Sequence, residues 1–187
     1  MKKFFFSIAL LFVAFATVNA QNYKPFKLGL GLGYAIPDGG GGVLFAIEPA
    51  YRVNDAIAVG LRMEWAAMAK SIDNTEADIS TNGSYTLNGQ YYLSDNTFRP
   101  YVGLGFGLYS IASVGFDDAD LKLDASSKFG LYPRIGADIG HFNINIDYNI
   151  IPKTEDSMQF GTETIEYEFK NSYIGIRIGA FIFGGKK

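Results

Sequence analysis

Ten charged side chains sit inside apolar, alternating stretches of this chain: Lys27, Glu48, Arg52, Arg62, Glu64, Arg99, Arg134, Asp138, Asp147 and Arg177. Charges embedded in such sequence survive burial only when paired and hydrogen-bonded. Six of them, Glu48, Arg62, Glu64, Arg134, Asp147 and Arg177, fall near the middle of their stretches. Brought together, they can serve as an interlocked salt-bridge core that fills a narrow space, or as a selectivity or gating cluster in a pore.

The other chemistry-bearing residues are fewer. His141 is the only histidine and follows Gly140 at a corner, where it reads as a turn residue. Phe116-Asp-Asp-Ala-Asp-Leu-Lys-Leu-Asp124 spaces its acids like calcium ligands, yet it lacks the glycine and closing glutamate of a complete EF-hand loop, so it reads as a solvated loop. Gly29-x-Gly31-x-Gly33 opens no helix and is no nucleotide fingerprint. The absence of cysteine removes disulfides and thiolate metal sites. No residue set assembles a catalytic, cofactor or metal site, so no enzyme activity and no cofactor is expected.

What positions the charges is a period of two. From Phe142 to Ile150 every odd step is apolar, except that Tyr148 carries a hydroxyl, and every even step is Asn or Asp. That alternation marks a strand with one greasy and one wet face. Eight such segments span roughly 26–35, 43–53, 57–69, 79–93, 99–112, 127–140, 142–152 and 165–183. Longer polar connections follow the first, third, fifth and seventh (Ile36–Gly42, Lys70–Asp78, Ser113–Ser126, Lys153–Thr164), and short ones follow the others. Long and short connections alternate in this way in a closed membrane barrel of even strand number.

The glycines choose between a soluble fold and a membrane barrel. Gly29, Gly31, Gly33, Gly60, Gly103, Gly105, Gly107, Gly130, Gly136, Gly175 and Gly179 share the phase of the charges. A solvent-exposed face has no reason to collect glycine, which weakens a strand. The lumen of an eight-stranded barrel is only just wide enough for side chains, so glycine opposite arginine or tyrosine makes room there. The greasy phase (Phe26, Leu28, Leu30, Leu32, Tyr34; Ile57, Val59, Leu61, Met63, Trp65) then faces lipid, and Tyr34, Tyr51, Trp65, Tyr91 and Phe142 suit interfacial girdles.

At the N-terminus Lys2 and Lys3 precede an apolar run from Phe4 to Val18 that closes on Val18-Asn19-Ala20. This is the pattern of a secretory signal peptide over 1–20, with a mature chain from Gln21. Its removal takes away two lysines and no acids, so the formal charge of −3 becomes −5. An acidic balance excludes nucleic acid as the expected partner, since phosphate binding needs a basic face.

Tyr51-Arg-Val-Asn-Asp-Ala-Ile-Ala-Val-Gly60, Phe98-Arg-Pro-Tyr-Val-Gly-Leu-Gly-Phe-Gly-Leu-Tyr109 and Pro133-Arg-Ile-Gly-Ala-Asp-Ile-Gly140 resemble small bacterial outer-membrane β-barrel proteins of the OmpX/OmpW-like group. The resemblance covers essentially the whole mature chain. It implies an outer-membrane location and, as partners, outer-membrane lipids, lipopolysaccharide and the outer-membrane assembly machinery. It implies adhesion, small-channel or structural roles rather than one activity. Such barrels often end on an aromatic read by the assembly machinery, whereas here Gly184-Gly185-Lys186-Lys187 follow Phe183, which takes the lumenal phase if Ile182 points outward.

The expected fold is therefore all-β: an eight-stranded antiparallel up-and-down transmembrane β-barrel over 21–187, preceded by a cleaved signal peptide, monomeric, with a polar plugged lumen. The expected role is non-enzymatic, structural or surface-interacting, with no extracellular ligand identified. Two alternatives stay open: a narrow passive channel for small solutes or hydrophobic molecules, and a soluble exported ligand-binding barrel with its greasy phase inward.

Overall fold

The computed structural model describes residues 22–72, 76–117, 120–160 and 163–186, with side chains outside 70–79, 113–125 and 155–169. The expected leader, 1–20, and Gln21 lie outside the described residues. Among the described residues ten strands follow in order: β1 Phe26–Pro37, β2 Gly40–Arg52, β3 Ile57–Ile72, β4 Glu76–Tyr92, β5 Phe98–Asp117, β6 Asp120–Ile139, β7 Phe142–Asn149, β8 Thr154–Phe160, β9 Glu163–Phe169 and β10 Tyr173–Phe183. Eight close a barrel in the order β1-β10-β7-β6-β5-β4-β3-β2, all pairings antiparallel, while β8 and β9 pair only with each other.

The alternation decides the faces. Leu32, Val43, Phe129, Ile135 and Ile178 are among the most exposed side chains, while Arg52, Arg62, Arg99, Glu64, Asp138 and Asp147 are buried inside. A soluble barrel with its greasy phase inward is thereby excluded. Phe26, Tyr51, Tyr91, Phe98 and Phe142 ring the end that carries the described chain termini, and Tyr34, Phe45, Trp65, Tyr85 and Tyr148 ring the other. The eight steps from Phe26 to Tyr34 span about 26 Å along the strand, or roughly 20 Å along the axis at a tilt near 40°. With the rings at each end this approaches the ~25 Å apolar band of an outer-membrane barrel.

Tight turns close the end with the termini. The Asn54 side chain accepts the N–H groups of Ala56 and Ile57 at 2.9 and 2.7 Å, the Ser94 hydroxyl accepts that of Asn96 at 3.2 Å, and Gly140 takes a φ of 61°. We call this the turn end and the opposite one the loop end.

The loop end departs from the sequence expectation. The first connection, expected over Ile36–Gly42, is a two-residue Asp38–Gly39 turn, for which Gly39 supplies a φ of 78°. Stretches expected as connections are instead strand: β3 and β4 pair as far as Ile72↔Glu76, and β5 and β6 as far as Asp117↔Asp120. The calcium-like segment 116–124 is therefore largely a paired hairpin arm in its backbone, and its side chains lie outside the described residues. The last expected segment, 165–183, is broken at Lys170-Asn171-Ser172. There the Asn171 amide donates to Pro152 O at 2.7 Å and Thr154 Oγ1 at 2.9 Å, and Ser172 exchanges hydrogen bonds with the Ile151 backbone.

The rim is consequently lopsided. The β6–β7 ladder ends at Arg134↔Asp147, with one isolated bridge at Leu131↔Ile150. Above that bridge, among the described residues, β6 has β5 on one side and no strand on the other.

Phe183 corrects a further expectation. Its φ of 65° breaks the alternation, so Ile182 and Phe183 both point outward and Phe183 packs beside Phe26 with ring centroids 6.1 Å apart.

Candidate functional site: the lumenal charge network

Four of the six mid-strand charges meet in one cluster. Arg62 donates from Nη1 to Asp147 Oδ2 at 2.7 Å and from Nη2 to Asn149 Oδ1 at 2.9 Å, with its Nε 3.6 Å from Glu64 Oε2. Arg177 reaches across from β10 to both Asp147 and Glu64. Tyrosines complete the acceptors: Tyr173 donates to Glu64 at 2.6 Å and Tyr109 to Asn149 at 2.9 Å, while the Arg62 guanidinium lies 3.6 Å over the Tyr132 ring. Glu48 and Arg134 form a separate two-bond pair at 2.7 and 2.8 Å, with Gln90 donating to Glu48 at 2.7 Å.

Glu48, Glu64 and Asp147 thus balance Arg62, Arg134 and Arg177. Removing one partner from such a buried set leaves an uncompensated charge and costs about 3–5 kcal/mol. The set is held by five strands, β2, β3, β6, β7 and β10, so it ties together walls that do not all touch through the sheet.

Glycines give these side chains their room. A Cβ on Gly105 would lie 2.2 Å from the Tyr132 ring, one on Gly130 2.9 Å from the Tyr109 ring, and one on Gly175 2.7 Å from the Arg177 guanidinium.

Two layers close the network. At the loop end Ala35, Leu44, Ala66, Met68, Tyr109, Ile151 and Tyr173 form an apolar cap inside the lumen. At the turn end Lys27 donates to Asp138 at 2.7 Å, and Tyr92 and Asn143 donate to the same carboxylate at 2.9 and 2.6 Å. Between this layer and the central cluster lies a cavity of about 40 Å³ lined by Lys27, Glu48, Arg134, Asn143, Asn145 and Arg177. It has room for a few waters.

Sequence reasoning missed the lumenal tyrosines and the neutral ladder of β4. Ser80, Asn82, Ser84, Thr86, Asn88 and Gln90 are all buried on its inner face. The signal was present, because every even position from 80 to 90 is an uncharged polar residue. Tyr23 lies outside the barrel strands, so no periodicity could have placed it, whereas Ile151 falls on the inward phase of the 142–152 segment and is buried as that phase requires. His141 sits on the tight β6–β7 turn with its Nδ1 2.9 Å from Phe181 O. Among the described residues no group of three or more His, Cys, Asp or Glu side chains could hold a metal ion.

Residues 6–180 match the family model described as "Outer membrane protein beta-barrel domain". No curated protein matches the sequence. Among solved structures the chain is similar to the outer membrane protein OprG from Pseudomonas aeruginosa, with 15% identity and a TM-score of 0.61 over 87% of this chain and 98% of that one. It is also similar to Neisserial surface protein A, with 12% identity and a TM-score of 0.50 over 87% and 99% of the respective chains. At these identities the likeness is one of fold.

Proposed function

This chain belongs to the outer membrane protein β-barrel domain family, and on that premise we propose that it is a non-enzymatic integral barrel of the outer membrane with a structural or surface-interaction role. In this proposal residues 1–20 are the cleaved leader and 21–187 the barrel domain, a monomer with its turn end in the periplasm and its loop end outside. Glu48, Arg62, Glu64, Arg134, Asp147 and Arg177 act as a structural plug rather than a selectivity filter. The finer resemblance to the OmpX/OmpW-like group rests on the three segments that carry it.

The observation that carries this proposal is the closed interior: ion pairs in mid-lumen, an apolar cap above them and an aromatic layer below. With the bore filled, contacts with other molecules fall to the outside. The loop end offers the β5–β6 arm, whose β6 edge above Leu131 has no strand partner among the described residues and so is a template for adding an extended peptide. The apolar band implies outer-membrane lipids as partners, with lipopolysaccharide at the outer girdle. The outward-facing Phe183 suits recognition by the assembly machinery.

Conductance of the refolded mature protein in planar bilayers tests the plug. The expected record is flat, alongside a heat-dependent gel mobility shift that shows the barrel is folded. A steady single-channel current from the folded protein would replace the plug with the narrow-channel alternative.

A further inference from the structure

A strap of the chain just before β1 lies across the turn-end mouth. The Asp55 carboxylate accepts the backbone N–H groups of Asn22 and Tyr23 at 2.9 and 3.3 Å. The Tyr23 hydroxyl donates to the carbonyls of Asn96 and Asp95 at 2.8 and 3.1 Å, and the residue is 6% exposed. The tail after β10 crosses the same opening: Lys24 N donates to Gly185 O at 3.0 Å, Tyr23 bridges Lys186, and Arg52 donates to Gly184 O. None of these contacts belongs to the barrel ladders, so the strap can leave without unpairing a barrel strand.

Beneath the strap Lys27 and Arg52 both pair with the Asp138 carboxylate, at 2.7 and 3.6 Å, and Arg99 shares the Tyr23 and Tyr92 rings with Arg52, all four charged groups being buried. Arg99 lies 3.9 Å under the Tyr23 ring and 4.1 Å from that of Tyr92, and its Nε and Nη2 donate to the carbonyls of Ser94 and Asp55. Among the described residues its Nη1 has no hydrogen-bond partner and no carboxylate forms an ion pair with it. Tyr23 thus covers a buried guanidinium that has carbonyls and ring faces where an anion would satisfy it better.

We propose that the turn-end mouth is an anion-preferring entrance to the lower lumen, held shut by the Tyr23 strap. Undocking the strap exposes Arg99 and Lys27 to a small anionic group, which is stopped further in by the Glu48–Arg134 pair. The proposal goes beyond the plugged-barrel function and borrows from it only the assignment of this mouth to the periplasm.

The cysteine-free chain allows a direct test. Ala58, fully buried beside Tyr92 and Tyr101 at this end, becomes a single reporter thiol through Ala58→Cys. The folded mature protein is treated with sulfonate- and ammonium-bearing methanethiosulfonates of equal size, and labelling is followed by mass. With the strap intact both reagents label slowly. In the Tyr23→Ala background the sulfonate reagent gains at least about tenfold and outruns the ammonium reagent, as a basic cleft steers anions. Adding Arg99→Gln removes that preference. Asp55→Ala, which frees the strap but keeps the aromatic ring, provides the same test should Tyr23→Ala not fold. Unchanged labelling in variants that keep the heat-dependent mobility shift overturns the lid. Equal or faster labelling by the ammonium reagent overturns the anion preference. Conductance of the unmodified barrel would contradict the plug without bearing on either result.

Discussion

Two glycines of neighbouring strands show how the inside and outside of this barrel use the same residue for different reasons. Gly105 faces the lumen, where an added Cβ would fall 2.2 and 2.3 Å from two ring atoms of Tyr132 and 2.5 Å from its hydroxyl, and that ring in turn carries the Arg62 guanidinium. Gly89 faces outward and an added Cβ would meet nothing within 4 Å. Gly105→Ala must displace Tyr132 and is expected to cost about 1–3 kcal/mol, as overpacking a filled interior does. Gly89→Ala is expected to be neutral or slightly stabilising, since alanine loses less backbone entropy on folding. Urea-unfolding midpoints in detergent or lipid distinguish the two, and equal effects would remove the steric account of the lumenal glycines. The phase shared by glycine and charge was legible in the sequence because both are set by the period of two. The identity of the partner at each glycine was not, because it depends on which inward side chain arrives from the facing strand.

At the scale of elements, regular pairing was legible and its interruptions were not. The seven alternating segments from 26 to 152 each correspond to one barrel strand, since their greasy phase had one place to go. The eighth failed because 163–169 alternates as well as 173–183 does, and only the polar clamp of Asn171 and Ser172 onto Pro152, Thr154 and Ile151 shows that the chain breaks there. Phe183 failed for a similar reason: a positive φ inverts the facing of one residue without changing its type. The β8–β9 hairpin pairs with no barrel strand, so its removal should leave the barrel's energetics almost untouched. Replacing 155–168 with a short glycine-serine linker, which retains the clamp residues, is expected to leave the heat-dependent mobility shift and the unfolding midpoint within about 0.5 kcal/mol of the parent. A loss of folding would mean that the hairpin supports the apolar cap through Ile151.

For the molecule as a whole, the decisive property is a reversal of the usual arrangement, with its charges inside and its aliphatic side chains out. Between the two girdles no outward position among the described residues is charged, while the interior holds ten charges within hydrogen-bonding networks. Such a surface is stable only against lipid, and that environment makes the cost of a new charge depend on depth rather than on packing. Ile178 lies midway along β10, flanked by Leu32 and Ile144, and Tyr148 lies in the loop-end girdle beside Ile174. Both are exposed in the isolated chain, at 65% and 47%, so water would treat the two positions alike. In a bilayer Ile178→Arg is expected to cost about 2–4 kcal/mol and Tyr148→Arg about 0–1 kcal/mol, because the girdle position lets the guanidinium reach the headgroups. Reversible unfolding in lipid vesicles measures both. Equal costs would place the two residues at the same depth and would contradict the tilt and girdle assignment from which the membrane orientation follows.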